Sequence, residues 1–252
     1  MARIIYYKSY ISSKKVVTME KRQAELKRQF IEEIIKNQEN YSVEDMPGIA
    51  EQILTQFGID KNRVIPIVRI AEDCGFTIKT KSKVWFVLKS MFNIKWGSII
   101  TGSITVEKIS EKTVVETAEQ ASEETTVETT DKKERKVEVY KKEITTYKKD
   151  NPYQQRFVIA HELAHFLFDC APGTMKFVDY YRKDNHINES EIKANAFAAN
   201  LLMPRDKFIE KYMEVIKTSP DPIYVIFSLA TYFGVPQKAV LRRFDEVINN
   251  VE

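Results

Sequence analysis

The sequence predicts an α+β domain, helical at both ends with its strands gathered in the middle. Three observations carry this. The 252 residues include only seven glycines, and Glu, Lys, Leu and Ile are abundant, which favours helix over a turn-rich all-β fold. Apolar residues recur at helical spacing in the first third of the chain and after about residue 150. Between them, β-branched residues alternate with polar ones in short runs.

Taken in order, residues 18–37 form an amphipathic helix with Leu26, Phe30 and Ile34 on one stripe. A second helix carries Ile49, Ile53 and Leu54 and stops near Gly58. A third follows Pro66 with Ile67, Val68, Ile70 and Ala71, and ends at Cys74-Gly75, where glycine suits a left-handed terminus. Strands are expected at Phe76–Lys79, Val84–Leu88 and Ser98–Val106. Residues 107–139, dominated by Glu, Thr and Lys without an aromatic residue or glycine, read as a mobile insertion or long exposed hairpin. Val139–Tyr147 resumes the sheet. Asn151-Pro152 then opens a helix with an N-cap, a proline at its first position and Gln154 where a capping box needs it. That helix runs to about Asp169. Another spans Asn188 to Met203, and three short helices, broken at Ser219-Pro220 and Gly234-Val235-Pro236, complete the chain. The expected organisation is an N-terminal helical region (1–63), a core (64–204) and a C-terminal helical subdomain (205–252).

Composition narrows the function. Lys and Arg number 39 against 36 Asp and Glu, too balanced to imply a nucleic-acid partner from charge alone. Two cysteines, Cys74 and Cys170, make no disulfide framework. The first eight residues lack a secretory leader, and no apolar run is long enough for a membrane span. A cytoplasmic protein is expected.

The chemistry lies in His161-Glu162-Leu163-Ala164-His165. A spacing of four puts both imidazoles on one helical face, where they can share a tetrahedral Zn²⁺, one ion per chain. Glu162 stands beside the first histidine, placed to take a proton from a water that the metal activates. The surrounding Phe157, Val158, Ile159, Ala160, Leu163, Ala164, Phe166, Leu167 and Phe168 make the helix apolar on nearly all sides. Two histidines and a glutamate in its middle cost several kcal/mol, on the order of the burial penalty for polar groups, unless a partner satisfies them. Only three histidines occur in the chain, and two fall in this pattern.

A third ligand must come from elsewhere. Phe168 and Ala171 stand where a metzincin extension needs Gly and His, so that class is excluded. A glutamate on a following helix would give a His₂Glu set with one open position. Glu191 is the leading candidate, in competition with a capping-box role opposite Asn188. Glu189, Asp169, Asp179, Asp184 and His186 are the fallbacks. Asn195, one turn beyond Glu191, is placed to hold a ligating histidine by a hydrogen bond. Tyr180, Tyr181, Arg182 and His186, between the two helices, are candidate donors to a developing oxyanion, with Tyr181 and His186 foremost. Cys170 is expected to be a buried, inert thiol.

The segments Arg156–His165 and Glu191–Pro204 closely resemble the ImmA/IrrE family of bacterial metallo-endopeptidases. Pro66–Phe76 is similar to that family's entry helix and first strand, and Leu229–Pro236 to its C-terminal helical segment. The resemblance covers about residues 64–250; the insertion and the first 60 residues have no assigned counterpart. It implies a zincin-like core with a small, mostly antiparallel sheet, Zn²⁺ held by His161, His165 and Glu191, and Glu162 as general base. It further implies a protein substrate, typically a repressor-type regulator of mobile elements or stress responses. An edge strand, Ser98–Val106, would pair with the extended substrate.

A different class competes. Residues 226–247, with Gly234 at the turn and Ala239-Val240-Leu241-Arg242-Arg243, match a helix-turn-helix pattern, so a DNA-binding regulator with a structural metal is the alternative. Asp245 and Glu246 directly after the arginines weigh against it.

Overall fold

The computed structural model describes residues 2–81, 102–116, 133–147, 150–169 and 189–249. The expected strand at Val84–Leu88, the first residues of the expected strand at Ser98, and residues 170–188, which include Cys170, Tyr181, His186 and Asn188, lie outside these ranges.

Helix α1 (Ala2–Lys36) is longer than the amphipathic pattern predicts. Ile34 is buried as expected, but Ile31 is buried beside it, Phe30 is half-buried, and Leu26 is 54% exposed. The neighbouring Lys27 explains the shift, since its ammonium pairs with Asp73 at 2.6 Å and lies over the Phe57 ring. Two short 3-10 turns lead into α2 (Met46–Gln56), which buries Met46, Ile49, Ala50, Ile53 and Leu54. Helix α3 (Ile67–Asp73) ends as expected on Gly75, whose φ of 88° is a conformation that side-chain-bearing residues rarely adopt.

Strands β1 (Phe76–Lys81), β2 (Gly102–Glu116) and β3 (Lys133–Tyr147) form a mixed sheet in the order β1-β3-β2. β3 is parallel to β1 and antiparallel to β2. The antiparallel ladder runs from Gly102 opposite Thr146 to Glu116 opposite Lys133, with an irregularity between Lys108 and Ser110. Residues 107–116 and 133–139, the two ends of the expected insertion, are therefore paired strand, and its residues 117–132 lie outside the described ranges. The Thr and Val content of the two paired ends suits extended backbone even where charged residues dominate.

At the centre, Ile78, Ile144 and Ile104 lie side by side in register, with Ile144 fully buried. Alternation along β1 and β3 puts Phe76 and Lys142 on that same face. There the Phe76 ring meets Phe166 edge-on at 4.9 Å, and the Lys142 ammonium sits 4.4 Å from the Phe166 ring centre.

Phe166 belongs to α4 (Pro152–Phe168), the helix that bears the motif. The Asn151 side chain caps it, accepting from the backbone N–H groups of Tyr153 and Gln154. Gln155, one place beyond the expected Gln154, reaches back to the carbonyls of Tyr147 and Asp150. Nine of its residues are buried, from Val158 to Phe168, because α4 lies against β2 and β3 on one side and against α5 (Glu189–Leu202) on another. Helices α1 and α3 pack on it too, and α2 packs on α5.

Helices α6 (Arg205–Thr218), α7 (Pro222–Phe233) and α8 (Gln237–Phe244) follow the predicted breaks. Phe208, Phe233 and Phe244 join them by aromatic contacts. Arg156 ties this part to α4, donating from Nε to the Gly234 carbonyl at 2.9 Å and from its terminal nitrogen to the Ile65 carbonyl at 2.7 Å.

Two predictions test this frame. Gly234 has a φ of 64°, and a Cβ there would lie 3.0 Å from Arg156 Nε and 3.3 Å from Val64. Gly234→Ala is expected to lower stability by about 1–3 kcal/mol, combining the left-handed penalty with displacement of the arginine; urea unfolding midpoints measure it. Cys74 is buried, and that burial pushes its thiol pKa up to about 12. In a Cys170→Ser background the folded protein should resist maleimide at pH 8, then react fully in denaturant.

Candidate metal centre

The helical period places His161 and His165 one turn apart on α4, and α5 brings Glu191 across to meet them. The three ligand atoms lie within 4.8 Å of one another. The two Nε2 atoms are 3.1 Å apart, and Glu191 approaches with Oε2 3.5 Å from His161 Nε2 and Oε1 3.5 Å from His165 Nε2. Tetrahedral Zn²⁺ with Zn–N bonds of about 2.0–2.1 Å sets its donors about 3.3 Å apart. The observed edges bracket that separation. His165 is 7% exposed, and His161 and Glu191 are half-buried.

Electrostatics give the same reading. Burial by itself would lower the His165 pKa. The hydrogen bonds to Asp169 and Glu191, with the charges of Glu162 and Asp169, outweigh it and raise the value to about 10. Two imidazole nitrogens facing each other amid three carboxylates demand a positive charge between them, which a proton or a metal ion supplies. The donor set, two nitrogens and a carboxylate, suits Zn²⁺.

Behind the donors, His165 Nδ1 donates to Asp169 Oδ2 at 2.6 Å, and Ser190 Oγ donates to the same oxygen at 2.6 Å. The sequence offers Asp169 only as a fallback ligand; in the fold it faces the opposite ring nitrogen. Its spacing of four from His165 was the available signal. Nothing local pointed to Ser190. Glu162 is half-buried beside His161, and its charge acts on His165. Asn195 donates from Nδ2 to the Glu191 carbonyl at 2.7 Å, a bond within its own helix. Glu189 opens α5 one residue before Ser190. Tyr181 and His186, with Asp179 and Asp184, lie outside the described residues.

The family model Peptidase_M78, described as an IrrE N-terminal-like domain, matches residues 117–245, just over half of the chain. The chain belongs to this peptidase family. The matched span contains the motif helix, α5 and the C-terminal helices, so the three residues that could hold a metal ion lie inside the region that the family model covers. No curated protein and no solved structure matches the chain significantly. No helix of the described residues is long and apolar enough to cross a membrane.

The helix-turn-helix pattern of residues 226–247 is present as α7, the Gly234 turn and α8. Its two arginines part company, however. Arg242 is exposed, whereas Arg243 is 3% exposed, with Nε donating to the Met203 carbonyl and a terminal nitrogen to Glu246. A side chain committed inside the fold offers nothing to a DNA groove.

Proposed function

We propose that the chain is a zinc-dependent endopeptidase that hydrolyses a peptide bond in a protein substrate, a repressor-type regulator. The convergence of His161, His165 and Glu191 at tetrahedral spacing, in a chain of a peptidase family, is the observation that carries this reading. Held by those three side chains, Zn²⁺ would supply Lewis-acid activation of a water and of the scissile carbonyl, one position being left open to solvent.

The protein's own groups do the rest. Glu162 is the general base: it takes the proton of the attacking water and returns it to the departing amine. The apolar residues of α4 bury His165, while Glu162 and Glu191 stay half-buried where solvent and substrate can reach them, and this partial burial strengthens the charge interactions at the centre. Tyr181 and His186 are the candidate donors to the oxyanion. Among the described residues β2 lies at one edge of the sheet, and an extended substrate segment would add there as a further strand.

The test is substrate capture. Proteins that accumulate in cells carrying Glu162→Gln, relative to wild type, are purified and offered to the wild-type enzyme with Zn²⁺. Cleavage of one of them by wild type and not by the variant supports the reading. Full biological activity of the Glu162→Gln variant would overturn it.

A further inference from the structure

Resting on the reading of His161, His165 and Glu191 as metal ligands, we infer that Asp169 and Ser190 are a positioning pair that couples the two ligand-bearing helices at the metal. Asp169 follows the last residue of α4, and Ser190 lies in the first turn of α5, directly before Glu191. One oxygen, Asp169 Oδ2, accepts both from His165 Nδ1 and from Ser190 Oγ, each at 2.6 Å. Ser190 Oγ also lies 3.4 Å from Nδ1. A closed circuit results: His165 to Asp169, Asp169 to Ser190, Ser190 along the backbone to Glu191, and Glu191 back to His165 at 3.5 Å.

Each link has a physical consequence. With Nδ1–H given to a carboxylate, the neutral His165 ring must present its lone pair at Nε2, the atom that faces His161 and Glu191. The same carboxylate holds the start of α5 through Ser190, setting where Glu191 enters the centre. A helix end and a helix start, 21 residues apart in sequence, are thus registered by one acceptor atom. The hydrogen bonds of both residues run to His165 and to each other. Both act through the ligands.

The experiment measures Zn²⁺ affinity by competition with a chromophoric chelator, alongside the visible absorption of the Co²⁺-loaded protein, for wild type, Asp169→Asn, Ser190→Ala, Ser190→Thr and the Asp169→Asn/Ser190→Ala double variant. Removal of such supporting partners typically weakens metal affinity about 10–100-fold. Asp169→Asn is expected in that range with an altered Co²⁺ spectrum, Ser190→Ala lower within it, and Ser190→Thr near wild type because its hydroxyl is retained. The double variant should match Asp169→Asn, since the serine acts through the aspartate. If near-ultraviolet circular dichroism shows Asp169→Asn unfolded, the contrast between Ser190→Ala and Ser190→Thr decides the matter. Unchanged affinity in folded Asp169→Asn and Ser190→Ala, or full additivity in the double variant, overturns the inference. Wild-type protein that binds neither Zn²⁺ nor Co²⁺ instead overturns the metal-site reading itself.

Discussion

Glu162→Gln is expected to slow peptide-bond cleavage by about 10²–10⁴-fold while leaving the bound metal in place. That range is the usual contribution of a positioned general base. Glutamine keeps the size of the side chain and its place on α4 beside His161, but its amide cannot take a proton from water near neutral pH. The proposed ligand set of His161, His165 and Glu191 is untouched, so metal content is expected to stay at about one ion per chain. Initial rates on the captured substrate, with metal analysis of the same sample, separate the two quantities. A rate within tenfold of wild type would place the base elsewhere.

His161→Ala or Glu191→Ala should remove the metal altogether, and cleavage with it. Each variant leaves two donors where a structural or catalytic zinc site needs at least three from the protein. The metal-free wild-type protein then makes a second expectation, set by His165. Its pKa stands near 10 in the folded state, against about 6.5 for a free imidazole. A raised folded value means that the folded chain holds a proton more tightly than the unfolded one. The resulting stabilisation is complete below about pH 6.5 and is lost as pH rises through about 10. Metal-free protein should therefore become less resistant to urea across that window. In the same window Zn²⁺ must displace the His165 proton, so its affinity should rise with pH and its binding should release protons to the buffer. Calorimetry in buffers of different ionisation enthalpy reads that release. Metal affinity independent of pH from 6.5 to 10 would contradict the assignment of His165 as a ligand.

The features legible in the sequence share one property: they depend on neighbours along the chain. Helix positions, the Asn151 cap, the Gly75 terminus and the breaks around residues 219–221 and 234–236 follow from local backbone preference. The pairing of His161 with His165 follows from 3.6 residues per turn. Features that the local pattern does not show depend on distant partners. Leu26 has helical spacing suited to burial yet stays exposed. Lys142 carries no local signal for the motif helix, yet its ammonium covers Phe166. The two adjacent arginines 242 and 243 look alike in sequence, and only the carbonyl of Met203, 40 residues away, draws one of them inside.

By itself, the sequence determined that this chain has an apolar helix with two histidines and a glutamate on it, because periodicity and hydrophobic pattern are local properties. It also narrowed the candidate third ligand to Glu191, a few other acids and His186. Tertiary structure alone decided that Glu191 closes on both Nε2 atoms, that Asp169 backs His165, and that Ser190 joins the two. The reason is geometric. A helix specifies the direction of its side chains to within one turn, whereas the meeting of two helices depends on how all their buried faces pack, and that is written in no short segment of the chain.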